Sequence, residues 1–334
     1  MAGFTTSFEA SGEDIYVVKT DLDGELIWEK TFGGEGDDNA WSIETTTGGN
    51  YIIAGFSNSF SSGDWDIYVL SIDGEGNELW SKHYPMAQDQ FAWDILPDRN
   101  GGILIAGQTN ATESERETAL CLKIDENGDI VWRYQSEETD ANRAFGVIQT
   151  DDAYFLSGMT STDITGVDGF ITRLATDGTE VWRTSYGGPK DDILHAINRS
   201  PDGNIIVSGY SKSYSAGHNS PWVLKVGAAG DEIWSNSFGS QLEERIVSAH
   251  VSESGETTLL GYVFKASGVD LLLVQTDPNG QLNWMTTFGS DKNEEAGQTL
   301  IKNDKNQFVY TGRTFKNDQR RGDLFLMVHK VGLD

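Results

Sequence analysis

An all-β chain built from repeated four-stranded sheets is predicted by three regularities in this 334-residue sequence. Residues 14–28 read DIYVVKTDLDGELIW and residues 66–80 read DIYVLSIDGEGNELW, nearly the same stretch 52 positions apart. Trp28, Trp80, Trp132, Trp182, Trp234 and Trp284 recur at steps of 52, 52, 50, 52 and 50, each after a turn such as DLDGE, GEGNE, ENGDI or PNGQL. Gly3, Gly55, Gly107, Gly158, Gly209, Gly261 and Gly312 recur at steps of 52, 52, 51, 51, 52 and 51, each inside an apolar run such as YIIAGFS or IIVSGYS. A repeat of this length marks a solenoid or a propeller, and the absence of any helical period rules out a solenoid of short helices.

One period divides into four strands, here called A to D. In the second period A is AWSIETT, B is YIIAGFS after a GGN turn, C is DIYVLSI after the loop SNSFSSGDW, and D is ELWSKHY after GEGN. Strands of about six residues with Gly, Asn and Asp turns fit radially repeated blades, the β-propeller answer to exposed sheet edges. The D-strand indoles are expected between neighbouring blades, where full burial would be worth at most about 4–6 kcal/mol each. The strand-B glycines are expected where a neighbouring backbone or ring comes close.

Strands B and C occur seven times and strands A and D six times, 26 in all. The sequence therefore reads as one propeller domain over residues 1–334, with a partial blade at 1–33 and repeats starting near 37, 89, 140, 191, 243 and 294. Seven blades need one more D and one more A, which points to a parent with an additional N-terminal segment. A six-bladed ring closed by the hairpin from Asp14 to Phe32 is the alternative.

The spacing D-x-x-G-x-x-x-W in KTDLDGELIW, KIDENGDIVW and QTDPNGQLNW, one residue shorter in LATDGTEVW, resembles the tryptophan-docking repeat of quinoprotein-like propellers. The longer frame ending in [FY]-G-G resembles the repeats of bacterial and archaeal secreted or surface propeller proteins. The resemblance implies a propeller fold and a secreted or cell-surface parent, and it carries over the tryptophan positions and no catalytic residue. Pyrroloquinoline quinone enzymes of this kind usually have eight blades and a vicinal cysteine pair; Cys121 is the one cysteine here, which argues against that cofactor.

Composition narrows the function classes. Lys plus Arg total 24 against 52 Asp plus Glu, a formal charge of −28, so phosphate backbones repel the chain and nucleic acid is a poor partner. Cys121 lies in the apolar run TALCLKID as a buried structural thiol, and one cysteine allows neither an internal disulfide nor a cysteine metal cluster. No apolar run is long enough for a membrane helix, and MAGFTTSFEASGE lacks the features of a signal peptide. The five histidines are scattered, and neither G-x-S-x-G nor H-x-x-x-H occurs. The expectation is a monomeric, non-enzymatic binding module without a cofactor, presenting loops on one face to a protein or a glycan. Two readings stay beside it: a carbohydrate-active enzyme using carboxylates at the axial mouth, and a purely structural repeat.

Two sets of residues are candidates for binding. Asp37, Asp89, Asp140, Asp191, Glu243 and Glu294 recur at steps of 52, 51, 51, 52 and 51 just before strand A. As a ring they would attract calcium or a basic partner; as turn acids they would accept backbone N–H bonds. The D-x-x-G turns superficially look like calcium loops, yet they are too short for that chemistry. The second set sits in the variable B–C loops, where function tends to lie: Trp65, Tyr214 and Trp222 as stacking surfaces, ahead of the strand-A residues Trp41, Trp93, Phe145 and His195, for which packing is the ordinary role.

Overall fold

Alternation and turn chemistry translate into strands almost residue for residue. The computed structural model describes residues 1–7, 12–61, 63–110, 116–137, 141–162, 166–266, 268–289, 293–302, 307–315 and 322–330. Among them are 26 strands in seven sheets and no helix. The first sheet holds β1 (Ala2–Thr5), β2 (Asp14–Thr20) and β3 (Leu26–Phe32), in the order B, C, D. The second holds β4 (Asp38–Thr45), β5 (Tyr51–Ser57), β6 (Asp66–Ile72) and β7 (Glu78–Tyr84). The third holds β8 (Gln90–Pro97), β9 (Ile103–Thr109), β10 (Thr118–Ile124) and β11 (Ile130–Gln135). The fourth holds β12 (Ala141–Gln149), β13 (Ala153–Thr162), β14 (Gly166–Ala175) and β15 (Glu180–Tyr186). The fifth holds β16 (Asp192–Arg199), β17 (Ile205–Ser211), β18 (Ser220–Val226) and β19 (Glu232–Ser237). The sixth holds β20 (Glu243–Val251), β21 (Thr257–Lys265), β22 (Gly268–Thr276) and β23 (Leu282–Phe288), and the seventh β24 (Asn293–Lys302), β25 (Gln307–Phe315) and β26 (Gly322–Lys330), in the order A, B, C. The first and last are thus separate three-stranded sheets, and the set is consistent with a propeller. The loop segments 8–11, 111–115, 163–165 and 316–321 lie outside the described residues.

The chain divides into two compact units. One comprises Met1–Leu156, Thr160–Thr162 and Thr172–Val181; the other comprises Ser157–Met159, Asp163–Ile171 and Trp182–Asp334. In the first unit, Ile52, Ala54, Ile67 and Val69 of the second sheet pack on Ala92, Ile95, Ile105 and Leu120 of the third. In the second unit, Leu260, Leu271 and Leu273 of the sixth sheet pack on Leu300, Phe308 and Tyr310 of the seventh. Burial follows strand class: β6, β9, β17 and β18 are buried at every position, while the D strands open on two exposed residues and continue mostly half-buried.

Each C–D turn is closed by its own chemistry. Asp73 Oδ1 accepts the N–H groups of Glu75 and Asn77 at 2.9 and 2.8 Å, and Gly76 supplies the left-handed residue at φ 76°. The D-strand indole of one sheet then sits on the turn glycine of the next. A Cβ on Gly76 would lie 3.1 Å from Trp28, and one on Gly178 2.6 Å from Trp132. The indole N–H groups of Trp28, Trp132 and Trp182 donate to the carbonyls of Gly74, Thr176 and Ala228, each at 3.2 Å. All six indoles are half-buried rather than enclosed, because their outer faces look to solvent. That correction roughly halves the burial value expected from sequence, to about 2–3 kcal/mol each.

The strand-B glycines answer to backbone. A Cβ on Gly55, Gly107, Gly209 or Gly261 would come 1.8, 2.0, 2.0 or 1.8 Å from the carbonyl oxygen of Asn39, Phe91, Ile193 or Arg245. At the same level strand A bulges: the register skips Trp41, Trp93, His195 and Val247. An extra residue in strand A pushes its carbonyl toward strand B, and only a residue without a side chain leaves room. Gly209→Ala is therefore expected to cost about 3 kcal/mol or more in a chemical denaturation experiment. Gly74→Ala, with nothing within 4 Å of its Cβ, is expected to change stability by less than about 0.5 kcal/mol.

Candidate functional site

The acids ahead of strand A engage backbone on the preceding sheet. Asp37 Oδ1 accepts the N–H of Glu13 at 2.9 Å, Asp89 Oδ1 that of Trp65 at 2.9 Å, and Glu243 Oε2 that of Asn219 at 3.3 Å. Asp191 takes the same bond from Val167. In each case the donor stands 24 residues earlier, at the entry to strand C. Asp191 also pairs with Lys212 at 2.9 Å, which draws its carboxyl below the usual range. His218 Nδ1 lies 3.5 Å from Glu243. Asp140 and the side chain of Glu294 lie outside the described residues. Among the described residues no group of three or more His, Cys, Asp and Glu is arranged to hold a metal ion.

The strand-A bulges gather aromatic rings in the first unit. Trp41 of β4 and Trp93 of β8 approach to 5.1 Å between centroids. Phe56, at the end of β5, meets Trp41, Trp65, Phe91 and Trp93 edge to face at 6.3, 5.3, 4.9 and 6.0 Å, and Phe145 of β12 meets Trp93 at 6.2 Å. All six rings are half-buried, so each keeps a face or an edge accessible. They lie where strand A begins, strand B ends and strand C begins, the end of the sheets that carries the B–C loops. Trp65 thus does join an aromatic surface, but Trp41, Trp93 and Phe145, the strand-A residues ranked behind it, form half of that surface. Alternation alone does not reveal them, because a bulged residue leaves the two-residue register that assigns side chains to faces.

Asp94 follows Trp93 at a position where the equivalent residues are Ser42, Gly146, Ala196 and Ser248. Its Oδ1 accepts the hydroxyl of Ser42 at 3.2 Å and the N–H of Ile95 at 2.9 Å, and its Oδ2 accepts the N–H of Val147 at 2.9 Å. Burial pushes its carboxyl up to about 7 against these donors, with the neighbouring Glu44 adding to the rise. Burial also raises the Glu44 carboxyl. The lone acid at an otherwise small repeat position was the signal in the sequence; the shift itself is set by neighbours from three sheets.

In the second unit the equivalent bulge carries His195, stacked on Tyr210 at 5.7 Å, with Arg245 over the same ring at 5.3 Å. Burial, then Arg245, pushes the imidazole down to about 4, so it is neutral at ordinary pH. Tyr214 is 50 % exposed and its hydroxyl donates to the Gly187 carbonyl at 2.7 Å. Trp222 departs from expectation: only 1 % of it is exposed, because Tyr214 covers it at 5.6 Å and its indole N–H is used by Ser235 Oγ at 2.8 Å. Trp222 supports Tyr214 and offers no ring face of its own.

Neither a family model nor a curated relative matches the sequence. Solved structures do. The β-propeller domain of the Trilobed protease from Pyrococcus furiosus is 13 % identical with a TM-score of 0.56, covering 97 % of this chain and 90 % of that one. Sqt1 from Chaetomium thermophilum is 13 % identical with a TM-score of 0.54, covering 99 % and 92 %. Pyrococcus horikoshii acylaminoacyl peptidase is 13 % identical with a TM-score of 0.54; the match covers 98 % of this chain but only 48 % of the peptidase. The likeness is one of fold. At such identity it supports the propeller architecture and carries no activity across.

Two measurements bear on the site. Asp89→Ala removes the acceptor of the Trp65 N–H and is expected to cost about 1–2 kcal/mol in unfolding free energy, while Asp89→Asn, which keeps an acceptor oxygen, loses less than half of that. The raised Asp94 carboxyl makes the folded state bind a proton that the unfolded chain has released, so this group's contribution to stability falls as pH rises from about 4 to about 7. Thermal melts across that window should show wild type losing stability relative to Asp94→Asn as pH rises, with the difference levelling off above pH 7.

Proposed function

We propose that the chain is a non-enzymatic binding module and that the ring cluster around Trp41, Trp93 and Trp65 is its contact surface for a glycan. The observation that carries this reading is the concentration of six half-buried rings at the loop-bearing end of one unit. Sugar rings stack their C–H faces on indoles, and Trp41, Trp65 and Trp93 bring three indoles to this surface. A protein anchored by aromatic side chains is the other occupant of the same chemistry. A polysaccharide panel tested by calorimetry and thermal shift decides between them. Trp93→Ala is expected to weaken the best glycan ligand at least about tenfold, with the unfolding transition still cooperative. If no glycan raises the melting temperature, the glycan assignment fails and protein recognition takes its place.

Asp94 favours a second reading, a carbohydrate-active enzyme. A carboxyl pushed up to about 7 beside Glu44 has the protonation state of a general acid at neutral pH. Three hydrogen bonds also tie it to Ser42 of β4, Ile95 of β8 and Val147 of β12, which suits a structural carboxyl equally well. Release of reducing ends from a bound polysaccharide by wild type, abolished in Asp94→Asn, would establish the enzyme. Stoichiometric binding without release would leave the module.

A further inference from the structure

The two units answer one structural question in two ways. Loop 57–66 reads SNSFSSGDWD and loop 211–220 reads SKSYSAGHNS, 154 residues apart, so Phe60 corresponds to Tyr214, Tyr68 to Trp222 and His83 to Ser237. The pairings agree: Tyr68 lies opposite His83 across β6 and β7, and Trp222 opposite Ser237 across β18 and β19. In the first unit Phe60 stacks on Tyr68 at 5.1 Å and on the His83 imidazole at 5.7 Å, the latter only 20° from parallel. In the second unit Tyr214 covers Trp222 in the same way, but a serine stands where the imidazole would be.

The space left is a cavity of about 310 Å³ lined by Tyr214, Glu232, Ser235, Asn236 and Ser237. Its volume is at the small end of ligand sites, enough for a single ring with short substituents. The Tyr214 ring is held as one wall by its hydrogen bond to Gly187, and Ser237 Oγ is turned toward the Pro221 carbonyl at 3.1 Å. The surroundings are electronegative: Asp192, Glu232 and Asp168 add to burial in raising the Tyr214 hydroxyl above its ordinary value. A flat ring bearing positive charge would meet an aromatic face and a carboxylate together, and the ring quadrupole and the charge both attract it.

We propose that the Tyr214 cavity is a binding site for a small planar nitrogen cation of the imidazolium type, its ring taking the place His83 takes three repeats earlier and its charge facing Glu232. The same chemistry occurs in a free heterocyclic amine and in the side chain of a peptide histidine, and the site would take either. This proposal is independent of the glycan surface, which belongs to the other unit.

The test is calorimetric and ligand-observed NMR titration of the full chain with 1,3-dimethylimidazolium, with phenol as a neutral ring of similar size and a histidine-containing tripeptide at pH 5.5. One saturable site is expected for wild type, weakened about fivefold or more in Glu232→Gln and lost in Ser237→His, which fills the cavity with its own ring. His83→Ser, which opens the equivalent space beneath Phe60, should add a second site. Tighter binding of the tripeptide than of the free cation assigns the site to peptides, and the reverse assigns it to free amines. Undiminished binding to Ser237→His places the ligand elsewhere and overturns the proposal. Equal affinity for phenol overturns the charge assignment, and absence of saturable binding overturns the site. Tyr214→Ala serves if Ser237→His loses its cooperative unfolding transition, since it removes the ring wall and should abolish binding on its own.

Discussion

The contact on which the repeats depend is an indole resting on a glycine. Trp28, Trp80, Trp132, Trp182 and Trp234 each reach the C–D turn of the following sheet, where a left-handed glycine leaves a flat seat, and a turn carbonyl takes the indole N–H of Trp28, Trp132 and Trp182. The turn closes because glycine adopts the positive φ it requires, and in turns such as Asp73–Asn77 an aspartate side chain caps the loop N–H groups as well, while the Gly227–Gly230 turn under Trp182 closes through backbone alone. Sheets in a repeat array have few other means of fixing their mutual rotation, since apolar packing between flat faces is tolerant of sliding. A directional bond beside a large ring removes that freedom at Trp28, Trp132 and Trp182.

The second, third, fifth and sixth sheets follow a second rule. A bulge in strand A is accommodated by a glycine in strand B, and the displaced residue becomes free to vary. Tryptophan at two of these places and histidine at a third give the two units different surfaces on one scaffold. Packing therefore holds the scaffold constant while the residues released from pairing differentiate it, which is how a repeat fold comes to carry sites at all.

Much of the architecture was legible because its causes are local. The strands Tyr51–Ser57, Asp66–Ile72 and Glu78–Tyr84 were readable from alternation and turns alone, and Gly55 could be explained by a close approach before the approaching atom was known. The sites were less legible, because their causes come from several sheets. Trp222 reads as a loop aromatic, and only the placement of Tyr214 decides that it is covered. Asp94 stands out as an acid in a column of small residues, but its raised carboxyl depends on Ser42, Glu44 and Val147 meeting around it. Asp37, Asp89, Asp191 and Glu243 show the reverse: their regular spacing was plain, and their bonds to backbone 24 residues upstream explain why the spacing is regular.

Those bonds also separate two timescales of sequence change. Because the acid clasps the end of the loop rather than its middle, whatever lies between strand B and the clasp is relieved of any duty to hold strand C in place. Such a loop can be exchanged wholesale, in length and in composition, while the chain re-enters the sheet at the same point. The B–C segments here already differ from one repeat to the next far more than the strands that flank them. In engineering terms the clasp is a graft boundary, and a foreign recognition loop inserted ahead of Glu13, Trp65 or Asn219 would arrive with its exit already anchored.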